Sequence, residues 1–563
     1  MTNDKIIDDP LGIAEAFNTY FVNIGPNLAV NIPPSDKTFN SFLTNPNPNS
    51  IFFIPVDEIE VIDIVNNLKA KKSSGCDGIS LFLLKQIIHE IAAPLTHIFN
   101  LSLTTGIFPS KMKVAKIIPI FKKGNVNDLG NYRPISLLTS FSKVLEKVVY
   151  SRTIKFLNDH NILVDTQFGF RKKHSTTHAV LLLIDQVVKA IEAKSHTVGV
   201  FLDHSKAFDT INHEILMYKL FHYGIRGRAL EWFRDYLTNR LQFVHINDSN
   251  SSTQNITCGV PQGSLLGPLL FIIYINDLPK SSTLLSFLLF ADDSSLFLTH
   301  QNPITLLDML NAELNYVNDW IRTNKLSLNL NKTSFMVFSN TITQLPGQIS
   351  INGVNLQQTN STKFLGLFID CKLSWQEQTN YLCKLLSRNL GVIQKLKHFF
   401  PTHILRTLYS TLLLPYLHYS ILAWGNCSKT RMESIFRIQK RAIRTINCTD
   451  YLAPTSPLFK RNNLLKVFDI YSYSLGIFMY QLTKDELPHA FPPMFVKNKA
   501  VHSYPTRQQN SFHFSPVRTV FALKTIVHTG PTFWNSLDCN ITESLTLNCF
   551  KRKLKKSLVQ AYV

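Results

Sequence analysis

The chain lacks any C-x-x-C pair among its eight cysteines, so the sequence supports neither a zinc knuckle nor a disulfide framework. Long apolar runs are also missing, because the longest, such as residues 265–275, fall well short of a membrane span. The acidic, polar N-terminus MTNDKIIDDP has neither the basic nor the apolar region of a signal peptide. We therefore expect reduced cysteines, no membrane-spanning segment, and an intracellular protein of the nucleus, the cytoplasm or both.

Acidic residues become scarce after residue 66. Residues 1–66 carry two basic and nine acidic side chains, whereas the rest of the chain carries 56 basic and 29 acidic ones, a net charge of +27. The excess is strongest in residues 381–563, with 25 basic and seven acidic side chains. Clustered Lys and Arg favour nucleic acid as a partner, because phosphate contacts release counterions. A merely solvated basic surface is the alternative reading.

The size and composition fit a globular protein. The chain has 563 residues, 45% of them hydrophobic and 17% charged, which suggests about two to four domains. A stretch rich in Pro, Asn and Ser at 33–50 reads as a linker, and the pattern after residue 300 predicts mainly helix. The remaining hydrophobic patterns predict helices at about 11–30, 57–68, 140–160 and 175–195, and strands at 114–121 and 197–202.

The stretch FLLFADDSSLFL (287–298) places two adjacent carboxylates between short apolar runs. These runs predict two strands, with Asp-Asp-Ser-Ser as the hairpin turn, and by itself such a pair is an ordinary turn. A second carboxylate, Asp203, directly follows the predicted strand at 197–202. Carboxylates at strand ends suit Mg²⁺, which takes oxygen ligands, and two such ions serve phosphoryl transfer.

Seven stretches resemble the motifs of one family, the reverse transcriptases of non-LTR (LINE-type) retrotransposons, in order and spacing. The resemblance extends weakly from about residue 12 to the C-terminus. The fingers motifs are matched by IPIFKKGNVNDLGNYRPISLL (118–138) and QFGFRKKHSTTHA (167–179), the palm motifs by FLDHSKAFDTINH (201–213), GVPQGSLLGPLLFIIYINDLP (259–279) and FADD (290–293), and the later palm motifs and primer grip by LSLNLNKTSFMVF (326–338) and KFLGLFID (363–370).

The resemblance implies a metal site and a sugar contact. Asp203 and Asp292 match the principal metal ligands, with Asp293 beside them as a third acidic group, and together they would hold two Mg²⁺ ions, with Mn²⁺ as an alternative. Phe208 matches the bulky residue that stacks under the deoxyribose and excludes a 2′-hydroxyl. Read without the family, Phe208 is an ordinary core aromatic.

The resemblance also implies contacts to nucleotide and template. Lys122 and Arg133 match the residues that hold the incoming triphosphate, with Lys123 as an alternative to Lys122. Gln262 and Gly263 fall where the family's backbone approaches the template base and the nucleotide, an approach that glycine permits. The resemblance implies that Arg171 contacts the template or the nucleotide, with a surface arginine as the alternative. It also implies that Lys332 protonates the pyrophosphate.

A basic helix face is predicted from spacing alone. Four cations recur at i, i+3, i+4 and i+7, while Ile438, Ala442 and Ile446 lie opposite and can pack on a core. Because the cations have no acidic partners in the pattern, we expect this face to follow a phosphate backbone. The four cations are Arg437, Lys440, Arg441 and Arg444.

The resemblance implies an α+β, right-hand polymerase fold with an antiparallel palm sheet, a helical thumb and a basic helical C-terminal region. The expected reaction is addition of dNTPs to a DNA primer on an RNA template, with the RNA–DNA hybrid held through its backbone. The oligomeric state stays open. The expected divisions are an acidic N-terminal helix and linker (1–66), fingers (67–195), palm (196–372, within a reverse transcriptase domain of about 110–372), and thumb with the C-terminal region (373–563).

Three departures from the family qualify the match. His204 follows the metal-binding aspartate where the family has an apolar residue, and we expect it either to disturb the strand or to turn outward. Gln378-Thr379 stands where many relatives have His-Ile, and residues 1–60 are too short for the endonuclease that relatives carry. Two alternatives remain: a decayed element that binds nucleic acid without polymerising, and a group II intron maturase.

Overall fold

The computed structural model describes residues 7–342, 344–501, 508–514 and 516–562. Short 3₁₀ helices lie at Phe39–Phe42, Ser110–Met112, Leu129–Asn131, Ala207–Asp209, Leu278–Ser281 and Pro492–Met494. The strands are β1 (Val114–Phe121), β2 (Tyr132–Leu137), β3 (His196–Asp203), β4 (Arg240–Ile246), β5 (Ser249–Asn250), β6 (Gln254–Ile256), β7 (Ser286–Phe290), β8 (Asp293–His300), β9 (Ser334–Phe338), β10 (Ser350–Ile351), β11 (Val354–Asn355), β12 (Gln357–Gln358), β13 (Ser361–Phe364) and β14 (Leu367–Asp370).

Helices surround these strands and make up nearly all of the ordered structure after β14. The helices are α1 (Pro10–Val30), α2 (Glu58–Asn67), α3 (Leu81–Thr105), α4 (Ser140–Asp159), α5 (Thr176–Glu192), α6 (His213–His222), α7 (Arg228–Leu237), α8 (Leu266–Tyr274), α9 (Pro303–Thr323), α10 (Gln376–Leu396), α11 (Thr402–Leu412), α12 (Leu414–His418), α13 (Ile421–Trp424), α14 (Lys429–Ile446), α15 (Ser456–Arg461), α16 (Val467–Thr483), α17 (Asn498–Val501), α18 (Val520–Leu523), α19 (Ile526–Asn535), α20 (Cys539–Thr542) and α21 (Leu547–Gln560).

The central sheet has the strand order β12-β9-β3-β8-β7. All its pairs are antiparallel except β12 with β9. A second sheet joins β2, β1 and β4, with β5 and β6 paired to β4, so strands from 114–137 and 240–256 share one layer. The fold is therefore mixed α+β, as the sequence predicted.

Two hydrophobic cores enclose the central sheet. Val198, Val200 and Leu202 of β3 belong to one core, formed with α2–α4 and α6–α9. Phe297 and Met336 belong to the other core, formed with α5 and the C-terminal helices. Successive side chains of a strand point to opposite faces, so both faces of the sheet are buried and only its strand ends are free to carry a site.

The predicted elements are mostly confirmed. The helices at 11–30, 57–68, 140–160 and 175–195 appear as α1, α2, α4 and α5, and the two predicted strands as β1 and β3. The prediction of mainly helix after residue 300 is wrong for 334–370, where six short strands interrupt it, because tight turns at Asn352-Gly353 and Leu365-Gly366 divide this stretch into hairpins.

A buried ion pair links the helices beneath the sheet. Lys219 Nζ of α6 donates to Asp277 Oδ1 at 2.6 Å, and both side chains are fully buried. Lys219 also donates to the carbonyl of Tyr274, and the Trp320 indole of α9 donates to Asp277 Oδ2 at 3.0 Å. Each charge is thus hydrogen-bonded on more than one side, which offsets the cost of burying it.

We expect Lys219→Met to lower the free energy of unfolding by about 3–5 kcal/mol, because it leaves the Asp277 charge buried and unpaired. Adding Asp277→Asn should recover part of the loss, since no charge then remains buried. Urea unfolding followed by circular dichroism measures both effects. The matched control is Lys155→Met, which breaks an exposed pair with Asp159 and should leave the free energy of unfolding nearly unchanged. Equal losses for the two lysine variants would contradict this account.

Candidate active site

Three carboxylates meet at one end of the central sheet. Asp203 ends β3 and stands directly opposite Asp293, the first residue of β8. Asp292 precedes Asp293 in the turn from β7. The register of β3 with β8 therefore brings Asp203 to the adjacent pair Asp292 and Asp293.

The turn differs from the one that the sequence predicted. Phe290 pairs with Asp293, so the two loop residues are Ala291 and Asp292, and the serines that follow are buried in β8. The prediction of a turn over Asp-Asp-Ser-Ser was wrong because Ser294 and Ser295, which are polar enough for a turn, pair instead with Leu202 and Phe201 of β3. Ala291 has φ +55°, a conformation that two-residue hairpins need and that side chains disfavour.

A neighbouring segment holds this turn in place. The Gln167 side chain, 1% exposed, accepts hydrogen bonds at Oε1 from the backbone N–H of Ala291 (3.1 Å) and of Gly169 (2.7 Å). A Cβ at Gly169 would lie 2.3 Å from the Ala291 nitrogen, so only glycine fits there. The Phe168 N–H also donates to Leu289 of β7. The motif that begins at Gln167 thus supports the Asp292 turn from behind.

Basic side chains approach the carboxylates from two other segments. Lys332 Nζ lies 3.7 Å from Asp203 Oδ2, and both groups are about half exposed. Lys122 and Arg133 lie at the loop end of the β1–β2 hairpin, where Ile120 pairs with Arg133 and Lys122 follows the last residue of β1. These three cations are the ones that the family resemblance assigned to the triphosphate and the pyrophosphate.

Burial and like charge shift the pKa values of this cluster. Burial raises the pKa of Asp293 to about 6, and the charges of Asp292 and Asp203 raise it further. Burial also raises the pKa of Asp292, against the opposing charges of Arg133 and Lys122. Burial lowers the pKa of Lys122, and the nearby cations Arg133 and Lys332 add to that effect. Because these acidic and basic groups shift one another's pKa values, side chains of both charges must lie close together at this site.

The three carboxylates suit a divalent cation, although their side chains are not arranged as a complete coordination site. Among the residues that the structure describes, no group of three or more His, Cys, Asp or Glu is arranged so as to hold a metal ion. The oxygen atoms of Asp203, Asp292 and Asp293 are nevertheless the ligand type that Mg²⁺ prefers. A bound cation would also counteract the burial and the like charges that raise the pKa of Asp293.

Phe208 and the Pro-Gln-Gly turn lie next to each other beside the sheet. The Phe208 ring stacks on Phe271 with centroids 4.6 Å apart, and the Phe208 carbonyl accepts from Val260. Phe208 is only partly buried, so it is neither a plain core residue nor free in solvent. Gly263 has φ +129°, and a Cβ there would lie 2.6 Å from the Ser136 carbonyl oxygen. Position 263 therefore requires glycine, because its backbone has a positive φ and because a Cβ would clash with Ser136.

The sequence reading missed Asp209, which orients Gln262. The Gln262 Nε2 donates to both carboxylate oxygens of Asp209 at 2.8 Å. Burial raises the pKa of Asp209 to about 6, while this hydrogen bond and the charge of Lys206 lower it. Asp209 stands inside the quoted stretch FLDHSKAFDTINH, so the motif carried the signal, but only the fold shows the partner.

Glu146 was also missed, and no motif pointed to it. This side chain of α4 is completely buried and accepts a hydrogen bond from the Leu265 N–H at 2.7 Å, just after the Pro-Gln-Gly turn. It also accepts from the hydroxyls of Ser142 and Tyr236. In sequence it reads as an ordinary helix glutamate, so nothing local distinguishes it.

Two predicted residues point into the protein. The Arg171 guanidinium donates to the carbonyls of Val164 (2.7 Å) and Gln167 (3.3 Å), so its contacts within the chain brace the loop that supports the Asp292 turn. The expectation for His204 is wrong: β3 is undisturbed up to Asp203, and His204 turns inward, 8% exposed, with Nε2 3.2 Å from Ser294 Oγ. Burial lowers the pKa of His204 to about 4, so the ring is neutral at neutral pH.

The predicted basic helix face lies in another part of the structure. Helix α14 buries Ile438, Ala442 and Ile446 against the C-terminal core, as expected. On the opposite side Arg437 and Arg441 are exposed, while Lys440 and Arg444 are half-buried. The Lys440 ammonium lies 5.0 Å from the Phe436 ring centre, and the Arg444 guanidinium donates to the Ala453 carbonyl. Two of the four cations are therefore fully available to a partner.

Comparison with known proteins identifies the family. Residues 120–369 match the family described as reverse transcriptase (RNA-dependent DNA polymerase). The chain is 30% identical over 443 residues to the probable RNA-directed DNA polymerase from transposon BS of Drosophila melanogaster, a match covering 75% of this chain and 48% of that protein. It is 28% identical over 409 residues to the RNA-directed DNA polymerase from mobile element jockey of Drosophila funebris, covering 70% and 44%.

The family match, the mixed sheet and the carboxylate edge define a reverse transcriptase domain. The chain is similar to the reverse transcriptases of non-LTR retrotransposons, since its relatives include jockey and the X-element of Drosophila melanogaster. The chain spans about half the length of these curated relatives. No helix in the described ranges is both long enough and apolar enough to cross a membrane.

We expect Asp203→Asn to lower the pKa of Asp293 from its value of about 6, because removing a nearby like charge favours the ionised form. Lys122→Met should act in the opposite direction, since Lys122 stabilises the charged form. Carbon NMR of aspartate-labelled protein, titrated in the presence of a chelator, measures the shift. The control Asp159→Asn removes an exposed, distant carboxylate and should leave Asp293 unchanged. A pKa of Asp293 that ignores Asp203 would mean that the two groups do not share a site.

Proposed function

We propose that the chain is an RNA-directed DNA polymerase, a nucleotidyltransferase that adds dNTPs to a primer 3′-end on an RNA template during retrotransposition. The observation that carries the proposal is the edge of three carboxylates at Asp203, Asp292 and Asp293, faced by the cations Lys122, Arg133 and Lys332. A nucleotide triphosphate and its metal ions need both signs of charge at one place.

The proposed metal site uses the three aspartates. Two divalent ions, Mg²⁺ or Mn²⁺, would supply activation of the 3′-hydroxyl and neutralisation of the leaving pyrophosphate. Asp203 and Asp292 are the principal ligands in this proposal, and Asp293 is the third acidic group. The backbone of β3 and β8 fixes Asp203 opposite Asp293, so little reorganisation is needed when the site fills.

The nucleotide is proposed to lie between the β1–β2 hairpin and the carboxylates. Lys122 serves as a point charge and Arg133 as a bidentate fork for the triphosphate. Lys332, whose ammonium lies 3.7 Å from Asp203, would donate a proton to the leaving pyrophosphate. Phe208 lies under the sugar, and Gln262 with Gly263 borders the template base and the nucleotide. Arg171 supports this region through the loop carbonyls that it binds.

The proposed architecture is a right hand. Fingers cover 67–195, palm 196–372 and a helical thumb with the basic C-terminal region 373–563, after an N-terminal segment of 1–66. The template–primer hybrid would lie along the basic C-terminal region, and its phosphates would contact a face of α14 through counterion-releasing contacts. The protein would act inside the cell, in the nucleus or the cytoplasm. The cations of that face are Arg437, Lys440, Arg441 and Arg444.

We expect Asp292→Asn to abolish primer extension while hybrid binding persists, because the change removes a ligand charge at nearly constant side-chain size. The loss should be on the order of a thousandfold in rate, or about 4 kcal/mol of barrier. Extension of a DNA primer on a homopolymer RNA template measures the rate, and a filter-binding assay measures the hybrid affinity. Near-normal extension by the variant would overturn the site. Binding without extension by the unaltered chain would favour the decayed-element alternative.

We expect Phe208→Ala to admit ribonucleotides, because a 2′-hydroxyl would no longer meet the aromatic ring. The measurement is the ratio of rNTP to dNTP incorporation efficiency, which should rise severalfold or more. The matched control is Phe271→Leu, which removes the ring stacked beneath Phe208 but keeps Phe208 itself. A ratio that is unchanged in Phe208→Ala would return this residue to the role of an ordinary packing aromatic.

A further inference from the structure

Tyr419 and Ser420, between α12 and α13, contact two segments that are distant in sequence. The Tyr419 hydroxyl donates to the Leu365 carbonyl at 2.6 Å and lies 3.2 Å from Thr176 Oγ1. The Ser420 Oγ lies 3.0 Å from Thr177 Oγ1. Two adjacent residues of the C-terminal helical region therefore bind both the β13–β14 hairpin and the first turn of α5.

The Tyr419 ring rests on the tip of that hairpin. Phe364 pairs with Leu367, so Leu365 and Gly366 are the two turn residues, with φ +45° and +84°. A Cβ on Gly366 would lie 3.1 Å from the Tyr419 hydroxyl and 3.3 Å from its ring. Leu365 and Gly366 thus have a left-handed backbone conformation, and the Tyr419 side chain packs closely against them. This contact holds the turn in position.

Tyr419 is itself held firmly although its side chain reaches the surface. Ser420 has φ +47° and is 3% exposed, a conformation that persists only where the surroundings enforce it. The indole of Trp424, a fully buried residue, donates to the Tyr419 carbonyl at 2.9 Å. Backbone on both sides of the Tyr419 side chain is therefore anchored in the C-terminal core.

The hairpin that Tyr419 contacts packs beneath the carboxylate edge. The Phe364 ring lies 5.7 Å from the ring of Phe201, which is two residues before Asp203 on β3. The hairpin is a separate two-stranded sheet, not part of the central sheet. Its position relative to Asp203 is therefore set by side-chain packing, by the contact with Tyr419 and by Gln378, which accepts a hydrogen bond from the Phe368 N–H, and not by pairing with the central sheet.

We propose that Tyr419 is a positioning residue that fixes the Leu365–Gly366 turn relative to Asp203 and so aligns the primer 3′-end for reaction. This inference rests on the proposed polymerase function, in which KFLGLFID (363–370) resembles the primer grip. Tyr419 lies outside residues 120–369, the part that matches the reverse transcriptase family. The C-terminal region thereby contributes to the alignment of the primer as well as to binding of the hybrid.

Tyr419→Phe tests the proposal, because it removes only the hydroxyl. With a primer annealed to an RNA template, single-turnover extension should show a maximal rate about two- to tenfold lower, the effect of one lost hydrogen bond. The dNTP concentration at half-maximal rate should stay the same, since the nucleotide contacts are untouched. The midpoint of urea unfolding should also stay the same. A purely structural role would not produce this split between rate and nucleotide affinity.

Tyr416→Phe is the matched control. It is the same substitution three residues earlier, at a side chain 39% exposed against 40% for Tyr419, and Tyr416 makes no side-chain hydrogen bond within the described ranges. Gly366→Ala adds a methyl group that would press against the Tyr419 hydroxyl and ring, so it should also lower the maximal rate. Equal maximal rates for Tyr419→Phe and Tyr416→Phe, or a change confined to nucleotide affinity, would overturn the proposal. Absence of extension by the unaltered chain would instead refute the polymerase function on which it rests.

Discussion

Mutual repulsion among three aspartates is the constraint on which the arrangement of this protein depends. Burial and nearby like charge raise the pKa values of Asp292 and Asp293, and the like charges would push the carboxylates apart if the chain left them free to move. Antiparallel pairing of β3 with β8 prevents this, since every residue from His196 to Asp203 is in register with its partner. Each face of the sheet is buried in a separate core, which prevents the strands from shifting in register. The electrostatic repulsion is therefore confined to the strand ends.

Support for this edge comes from segments scattered along the chain. Gln167 bonds the backbone of Ala291, Glu146 bonds the backbone of Leu265, and Asp209 orients Gln262. Each support is a polar side chain with a hydrogen bond, fully buried at Gln167 and Glu146 and partly buried at Asp209, and the bond gives direction as well as stability. A positive φ occurs in the same places, at Ala291 and at Gly263, as it does at other turns of the chain.

The supporting structure extends beyond the residues that match the family. Helix α1 packs on β4, and a Cβ at Gly25 would lie 2.5 Å from the Asp209 carbonyl oxygen, so the helix lies directly against the loop that orients Gln262. At the other end, the Tyr419 contact joins the C-terminal helices to the β13–β14 hairpin. Parts of the chain that carry no recognisable motif thus position the parts that do.

The sequence by itself determined the long helices, the strands β1 and β3, the family and the candidate aspartates, because hydrophobic period and short motifs are local properties of the chain. It did not determine the turn at Ala291, the inward-facing His204 or the support by Glu146 and Tyr419. Those depend on which distant backbone groups need a hydrogen-bond partner once the chain has folded. A buried histidine and a solvent-exposed one look alike in sequence, and only the tertiary structure, by placing Ser294 beside the ring, decided between them.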